Sequence, residues 1–217
     1  HNMWINDVTA ADFNNDGLVD VVGVSSRDDA AYNGTPFIGM NHGNLHFSRK
    51  QVMDNSEDDI FRADRVVHGF FDGDGLPDVF YSNGHGLLPS HQGPYQFWLN
   101  RTATENGYLL LELEGVNANR DAVGAQIEVR DAEGGLIGYR EIGPGYGRSQ
   151  DTHLVHVGLG EREGPFTLRI RWPGATDLQI EALSRPGSYR LRQGEPPQPF
   201  TASTGQRGGT ARTQAAP

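Results

Sequence analysis

The stretch Asp12-Phe13-Asn14-Asn15-Asp16-Gly17-Leu18-Val19-Asp20 constrains the fold most, because its pattern returns 58 residues later as Phe70-Phe71-Asp72-Gly73-Asp74-Gly75-Leu76-Pro77-Asp78. Each copy runs into an apolar segment, Val21-Val22-Gly23-Val24 in the first and Val79-Phe80-Tyr81 in the second. In the first copy, oxygen-bearing side chains stand at loop positions 1, 3, 5 and 9, and a glycine at position 6 permits a sharp turn. Calcium takes about six to eight oxygens in a flexible cage, which a tight loop supplies by aiming alternate side chains and one backbone carbonyl inward. The second copy has Phe70 at position 1 and so lacks one ligand.

An EF-hand begins the same way but needs a glutamate at position 12 and a helix after the loop. Position 12 is Gly23 in one copy and Tyr81 in the other, and both loops enter β-type sequence. The competing reading is an Asx-rich hairpin turn, since Asn, Asp and Gly dominate turns in any protein. Two copies of one Asp-Gly-x-x-Asp core, each opening a strand, favour a calcium loop on a strand.

The chain of 217 residues, with 29 glycines and 12 prolines, shows short strand-like runs and no long amphipathic helix, the profile of an all-β protein. Its net charge of −10 argues against nucleic-acid binding, which depends on neutralising phosphates. From Ser184 onward, five arginines against Glu195 give +4, which leaves −14 on the first 183 residues. An acidic body with a basic tail suits docking more than catalysis. No cysteine is present, so disulfides contribute nothing. No stretch reaches the roughly 18 apolar residues of a transmembrane helix. The start at His1 is what a processed chain would show, and weak calcium loops suit an extracytoplasmic setting, periplasmic or secreted. One lysine against 17 arginines points to a GC-rich bacterial genome.

Two units repeat one plan of loop, strand, long connection, strand and Asn-rich turn, over residues 1–53 and 54–106. A period near 58 marks a repeat architecture in which each unit is like one blade of a β-propeller. The Asp-x-Asn-x-Asp-Gly-x-x-Asp loops resemble the FG-GAP or VCBS repeats of integrin-type propellers. That resemblance implies Ca2+ held by Asp12, Asn14, Asp16 and Asp20 with the Leu18 carbonyl. In the second copy it implies Asp72, Asp74 and Asp78 with the Leu76 carbonyl. Propellers of this kind have about seven blades, and two units make an incomplete one.

From Gly107 the pattern becomes strict alternation. Leu109, Leu111 and Leu113 face one way, with Leu110, Glu112 and Glu114 on the other side. Ile127 and Val129 alternate with Glu128 and Arg130, and Phe166, Leu168, Ile170 and Trp172 with Thr167, Arg169 and Arg171. This is the signature of an antiparallel β-sandwich-like domain with one wet face, placed at 107–193. Four blocks, Gly115–Ala125, Gly145–Gln150, His156–Gly160 and Arg171–Gly174, occur in the order of the ASPIC/UnbV domain, which this segment resembles. The resemblance implies a binding or scaffolding module without defined catalysis. Residues 194–217 read as an extended Pro/Gly/Thr-rich docking tail that lies across another subunit.

Enzyme motifs do not emerge: there is no nucleophile elbow, dinucleotide fingerprint or phosphate loop. His153 and His156, three apart, would point to opposite faces of a strand and read as ordinary strand positions. The acidic pair Asp58-Asp59 reads as solvated rather than as a glycosidase pair. Asn119, Arg120, Tyr146, Arg148 and Gln150 could line a polar ligand site, or could simply fix turns. Asn33 and Asn100 fit the glycosylation sequon. The expectation is a non-catalytic, calcium-stabilised module serving as an accessory subunit of a larger protein assembly, such as a membrane complex contacted through the tail. The alternatives are an adhesion or carbohydrate-binding module and a fragment of a larger secreted enzyme.

Overall fold

The computed structural model describes residues 5–25, 37–51, 65–82, 95–145 and 152–201, and every regular element among them is a strand. The first unit is an antiparallel meander of β1 (Ile5–Ala11), β2 (Asp20–Ser25), β3 (Phe37–Asn41) and β4 (Phe47–Gln51), in that order across the sheet. The second is a meander of β5 (Arg65–Gly69), β6 (Asp78–Ser82) and β7 (Gln96–Trp98). Each acidic loop is the connection between the first two strands of its meander. The apolar segment after the first loop forms β2, which begins at Asp20 because the loop's own side chains hold the backbone through Leu18 in turns. The acidic pair Asp58-Asp59 and the sequon at Asn33 lie outside the described residues.

Alternation gives each meander two faces, and one face of each is buried against the other unit. Ala11, Phe13, Val22 and Val24 of the first meet Val66, Val79 and Tyr81 of the second, flanked by Ile38 and Trp98. Polar contacts cross the same seam: Thr9 Oγ1 lies 2.6 Å from His68 Nδ1, and the Val66 N–H donates to Asp7 Oδ2 at 3.2 Å. Among the described residues these two units close no ring.

Gly107 opens a third body made of two four-stranded sheets. One has the order β10 (Leu136–Glu141), β9 (Gln126–Arg130), β12 (Phe166–Arg171), β13 (Gln179–Leu183). The other has β11 (Val155–Gly160), β8 (Gly107–Glu114), β14 (Gly187–Arg192), β15 (Gln198–Pro199). The expected alternation is realised: Leu109, Leu111, Leu113, Val157, Leu159 and Leu191 from one sheet face Ile127, Val129, Phe166, Leu168 and Ile170 from the other in a single core. One pairing departs from an antiparallel sandwich, since β14 runs parallel to β8. The chain changes sheets between β13 and β14 and so enters beside β8 in the same direction.

Two further readings are amended. Leu110, expected on the wet face with Glu112 and Glu114, is 1% exposed; it pairs with His156, on which Phe70 packs, on the face where the acidic loops meet Tyr108 and Gly158. The extended segment after Gly194 is not all free: Gln198 and Pro199 pair with Arg190 and Tyr189, and the Phe200 N–H donates to Ser188 O. The rest of the expected docking tail, residues 202–217, lies outside the described residues.

Candidate cation site and the junction around it

The two loops adopt one hydrogen-bonded form. In the first, Asp20, fully buried, accepts the Phe13 N–H at 3.0 Å and the Asn41 N–H at 2.8 Å. In the second, Asp78, also fully buried, accepts the Phe71 and Asn100 N–H groups, each at 2.8 Å. Asp16 accepts from Leu18 N–H as Asp74 does from Leu76 N–H. Asn14 accepts from Asp16 N–H as Asp72 does from Asp74 N–H. Asn41 Nδ2 donates to Val19 O and Asn100 Nδ2 to Pro77 O. The repeat seen in the sequence is thus a repeat of side-chain-to-backbone geometry, which an Asx-rich turn requires and a cation loop can share.

The charges of the loops differ. Asp12 has no exposed surface, and its oxygens accept from the Asp16 N–H at 3.1 Å and the Gly17 N–H at 2.7 Å. Burial pushes its carboxyl up to about 6 against those two hydrogen bonds, and the charges of Asp16 and Asp20 push the same way. Asp20 is also raised, by burial first and then by Asp16. In the second loop Arg101, not singled out in the sequence, bonds Asp72 closely and reaches Asp74 Oδ2 at 3.2 Å. Burial opposes ionisation of Asp72, but the hydrogen bond and charge of Arg101 prevail and hold it below the usual carboxylate range. Asp78 is raised by burial, and then by Asp72 and Asp74.

Among the described residues no three His, Cys, Asp or Glu side chains converge as a ready set of metal ligands. Asp12, Asp16 and Asp20 each accept one N–H donor per oxygen from the described residues, and it is the second lone pair of those oxygens that would meet a cation. The residues of the first loop therefore fit calcium by donor chemistry, with the Asn14 amide and the Leu18 carbonyl at the remaining positions. In the second loop, Asp72 and Asp74 are engaged by the guanidinium. The signal for Arg101 was present: it follows Asn100 as His42 follows Asn41, 59 residues earlier.

Both loops also form the joint to the sandwich. The Asn15 carbonyl accepts from Gly160 N–H at 2.8 Å, and the Asn14 carbonyl from Asn106 Nδ2 at 3.0 Å and Thr104 Oγ1 at 3.2 Å. A Cβ on Gly158 would fall 1.9 Å from Asp12 Oδ2, so β11 carries glycine where the first loop lies on it. A Cβ on Gly75 would fall 2.0 Å from the Tyr108 ring, and Gly75 has φ +86°, so glycine is required there twice over. Phe70, the departure from the ligand pattern, packs its ring 5.0 Å from that of His156. It is a joint residue where the first loop has a carboxylate.

His156 is the surprise of β11. Expected to be an ordinary strand position, it is 7% exposed, its Nε2 is buried without a partner, and burial followed by the charges of Arg140 and His68 pushes it down to about 3. Arg140 is lowered by burial and donates Nε to His156 O and Nη1 to Tyr139 O, at 3.0 and 2.9 Å. A cavity of about 360 Å3 opens here, lined by Asp12, His68, Arg140, Thr152, His153 and His156 among others. Asn119 fixes a turn, its amide bonding both Val123 N–H and Val123 O at 2.8 Å, and Arg120 is exposed nearby. Tyr146, Arg148 and Gln150 lie outside the described residues.

Residues 115–198 match the family model described as ASPIC and UnbV, so this part of the chain is an ASPIC/UnbV domain. No curated protein matches the chain.

Proposed function

We propose that the chain is a non-catalytic, calcium-stabilised structural module of FG-GAP type repeats and an ASPIC/UnbV domain, acting outside the cytoplasm as an accessory subunit of a larger assembly. One observation carries this reading: of two loops with the same hydrogen-bond frame, the second has an arginine across its carboxylates and the first has none hydrogen-bonded to its own among the described residues. The second loop has Arg101 across Asp72 and Asp74. In the first, the charge of Asp16 adds to burial in raising Asp12 and Asp20, and among the described residues no arginine or lysine is hydrogen-bonded to the three carboxylates, the buried Arg140 acting on Asp12 by its charge alone. A divalent cation there would relieve that repulsion and tighten the loop on β11, which fixes the repeat pair relative to the sandwich. The surface offered to a partner is then held in one geometry. Calcium at extracytoplasmic, millimolar-scale concentration would fill even a weak loop of this kind.

Calorimetric titration of the metal-free chain with calcium tests this. The expected result is one site per chain, lost in Asp16→Ala, together with a rise in melting temperature on adding calcium. Absence of binding, with a melt indifferent to chelator, would refute it. A second reading, a glycan-binding module, is favoured by the polar cavity in which Arg140 and the unpartnered His156 Nε2 meet. Glycan-array binding that disappears in Arg140→Ala would support that reading, and a blank array would remove it.

A further inference from the structure

Four arginines of the sandwich sit against glutamates in solvent. Arg130 and Arg169 share Glu128 at 2.9 and 3.5 Å, Arg190 holds Glu112 at 2.8 Å, and Arg192 holds Glu114 at 3.4 Å. Arg140 differs in both respects. It lies opposite Ile127 in the pairing of β10 with β9, and so on the inner face, where Ile127 is fully buried. Gly138, two residues earlier, shares that face, and a Cβ there would come 2.9 Å from Val157 Cγ1. The two sheets therefore close tightly at this edge, and Arg140 reaches past β11 into the cavity at the junction.

A guanidinium drawn out of water onto the inner side of a sheet needs compensation, and buried charges are as a rule paired. Arg140 makes two hydrogen bonds, both to backbone carbonyls, those of His156 and Tyr139. Among the described residues no carboxylate is hydrogen-bonded to it, and Asp12, which acts on it by charge, already accepts the Asp16 and Gly17 N–H groups. Its Nη2, with two N–H donors, meets no acceptor among the described residues. The cavity of about 360 Å3 around it takes Asp12 from the first unit, His68 from the second, and Thr152 and His153 from the sandwich. His156, whose Nε2 has no partner, belongs to the same wall. Ligand pockets span roughly 300–1,000 Å3, so this one suits a molecule of about a dozen non-hydrogen atoms and not a chain of sugars.

We propose that this cavity binds a small hydroxylated carboxylate, a uronic acid of monosaccharide size, with the carboxylate on Arg140. The proposal rests on the glycan reading and narrows it to acidic sugars. Charge selects a monoanion. Among the described residues Arg140 is the only arginine or lysine in the wall, while Asp12 and Glu141 line it as well. A dianion such as phosphate would there meet more repulsion than attraction. A guanidinium fork matches the planar carboxylate of such an acid, which supplies the acceptor that Nη2 lacks. Hydroxyl groups suit the wall beside it, since Thr152 Oγ1 accepts the Leu154 N–H at 3.1 Å and keeps its own O–H to donate to a sugar oxygen.

Titration of the 217-residue chain with glucuronate, followed by NMR in chelator so that no calcium bridges the acid, tests this. A dissociation constant of about 1 mM is expected for a ligand of this size. Glucose should bind at least about tenfold more weakly, and Arg140→Gln should weaken glucuronate by a similar factor. Glu141→Gln, at an exposed position in the wall, should tighten glucuronate about two- to fivefold. Glucose binding as tightly as glucuronate, with both surviving in Arg140→Gln, would overturn the acid preference and leave the glycan reading standing. Binding of neither sugar would overturn both. Inorganic phosphate binding more tightly than glucuronate would overturn the carboxylate. Should Arg140→Gln fail to fold for want of its two carbonyl bonds, a glucuronate affinity unchanged in Glu141→Gln would overturn the proposal.

Discussion

Asp12 is the residue whose replacement tests the junction most directly. Its carboxyl is fully buried and raised from 3.8 to about 6, by burial first and by Asp16 and Asp20 after that. A carboxyl raised in the folded state binds its proton more tightly folded than unfolded. The associated stability is therefore present at low pH and is lost as pH rises from about 4 to about 6. At about 1.4 kcal/mol per unit, the metal-free protein at neutral pH carries a penalty of roughly 3 kcal/mol. Asp12→Asn removes that titration. It also leaves one of the Asp16 and Gly17 N–H groups facing an amide donor, a pH-independent loss of about 1–3 kcal/mol. Urea unfolding in chelator should then show the variant less stable than the parent at pH 4. The gap should close, or change sign, by pH 7, a relative shift of roughly 3 kcal/mol. At a calcium concentration about a hundredfold above the dissociation constant, the parent should gain about 2.7 kcal/mol and the variant little. Stability curves that run parallel from pH 4 to 7 would refute the buried, ionised carboxylate. A calcium gain preserved in the variant would remove Asp12 from the site.

Three other outcomes are expected. His156 is held neutral in the fold, with its pKa pushed down to about 3. Its contribution is thus present above about pH 6.5 and lost at about 1.4 kcal/mol per unit as pH falls. His156→Gln should flatten acid unfolding relative to the parent, and an unchanged acid limb would contradict the buried neutral ring. Gly75→Ala should cost roughly 2–4 kcal/mol from positive φ and overpacking on Tyr108. Adding Tyr108→Ala should recover part of that, and strictly additive costs would deny the contact. Arg101→Ser should uncover Asp72 and Asp74 and raise calcium stoichiometry above that of the parent in calorimetric titration. Unchanged stoichiometry would mean that the second loop needs the missing position-1 carboxylate more than it needs freedom from the guanidinium.

The all-β class, the duplicated loop and the sandwich core were legible in the sequence because each is written in local spacing. Leu109, Leu111 and Leu113 alternate, and the Asp-Gly-x-x-Asp core repeats at a fixed offset. What sequence could not supply was the relation between the parts. Leu110, His156 and Gly158 lie on the side of the sheet that alternation assigns to water, and all three are buried because the loops dock there. The parallel pairing of β14 with β8 likewise depends on a change of sheet that no periodicity encodes.

Phe70 and Arg101 bring these strands together. Read locally, Phe70 is a defect in a ligand pattern and Arg101 is an exposed residue in a turn. In the folded chain Phe70 packs on His156 and Arg101 spans Asp72 and Asp74, so the second loop serves the joint through an aromatic ring and a tethered cation. The first loop keeps the carboxylate at position 1 and buries it against Gly158. A joint with one permanent cation and one exchangeable one would be firm at the second loop and adjustable at the first. Calcium would then tune the angle between repeat pair and sandwich through Asp12, Asn15 and β11.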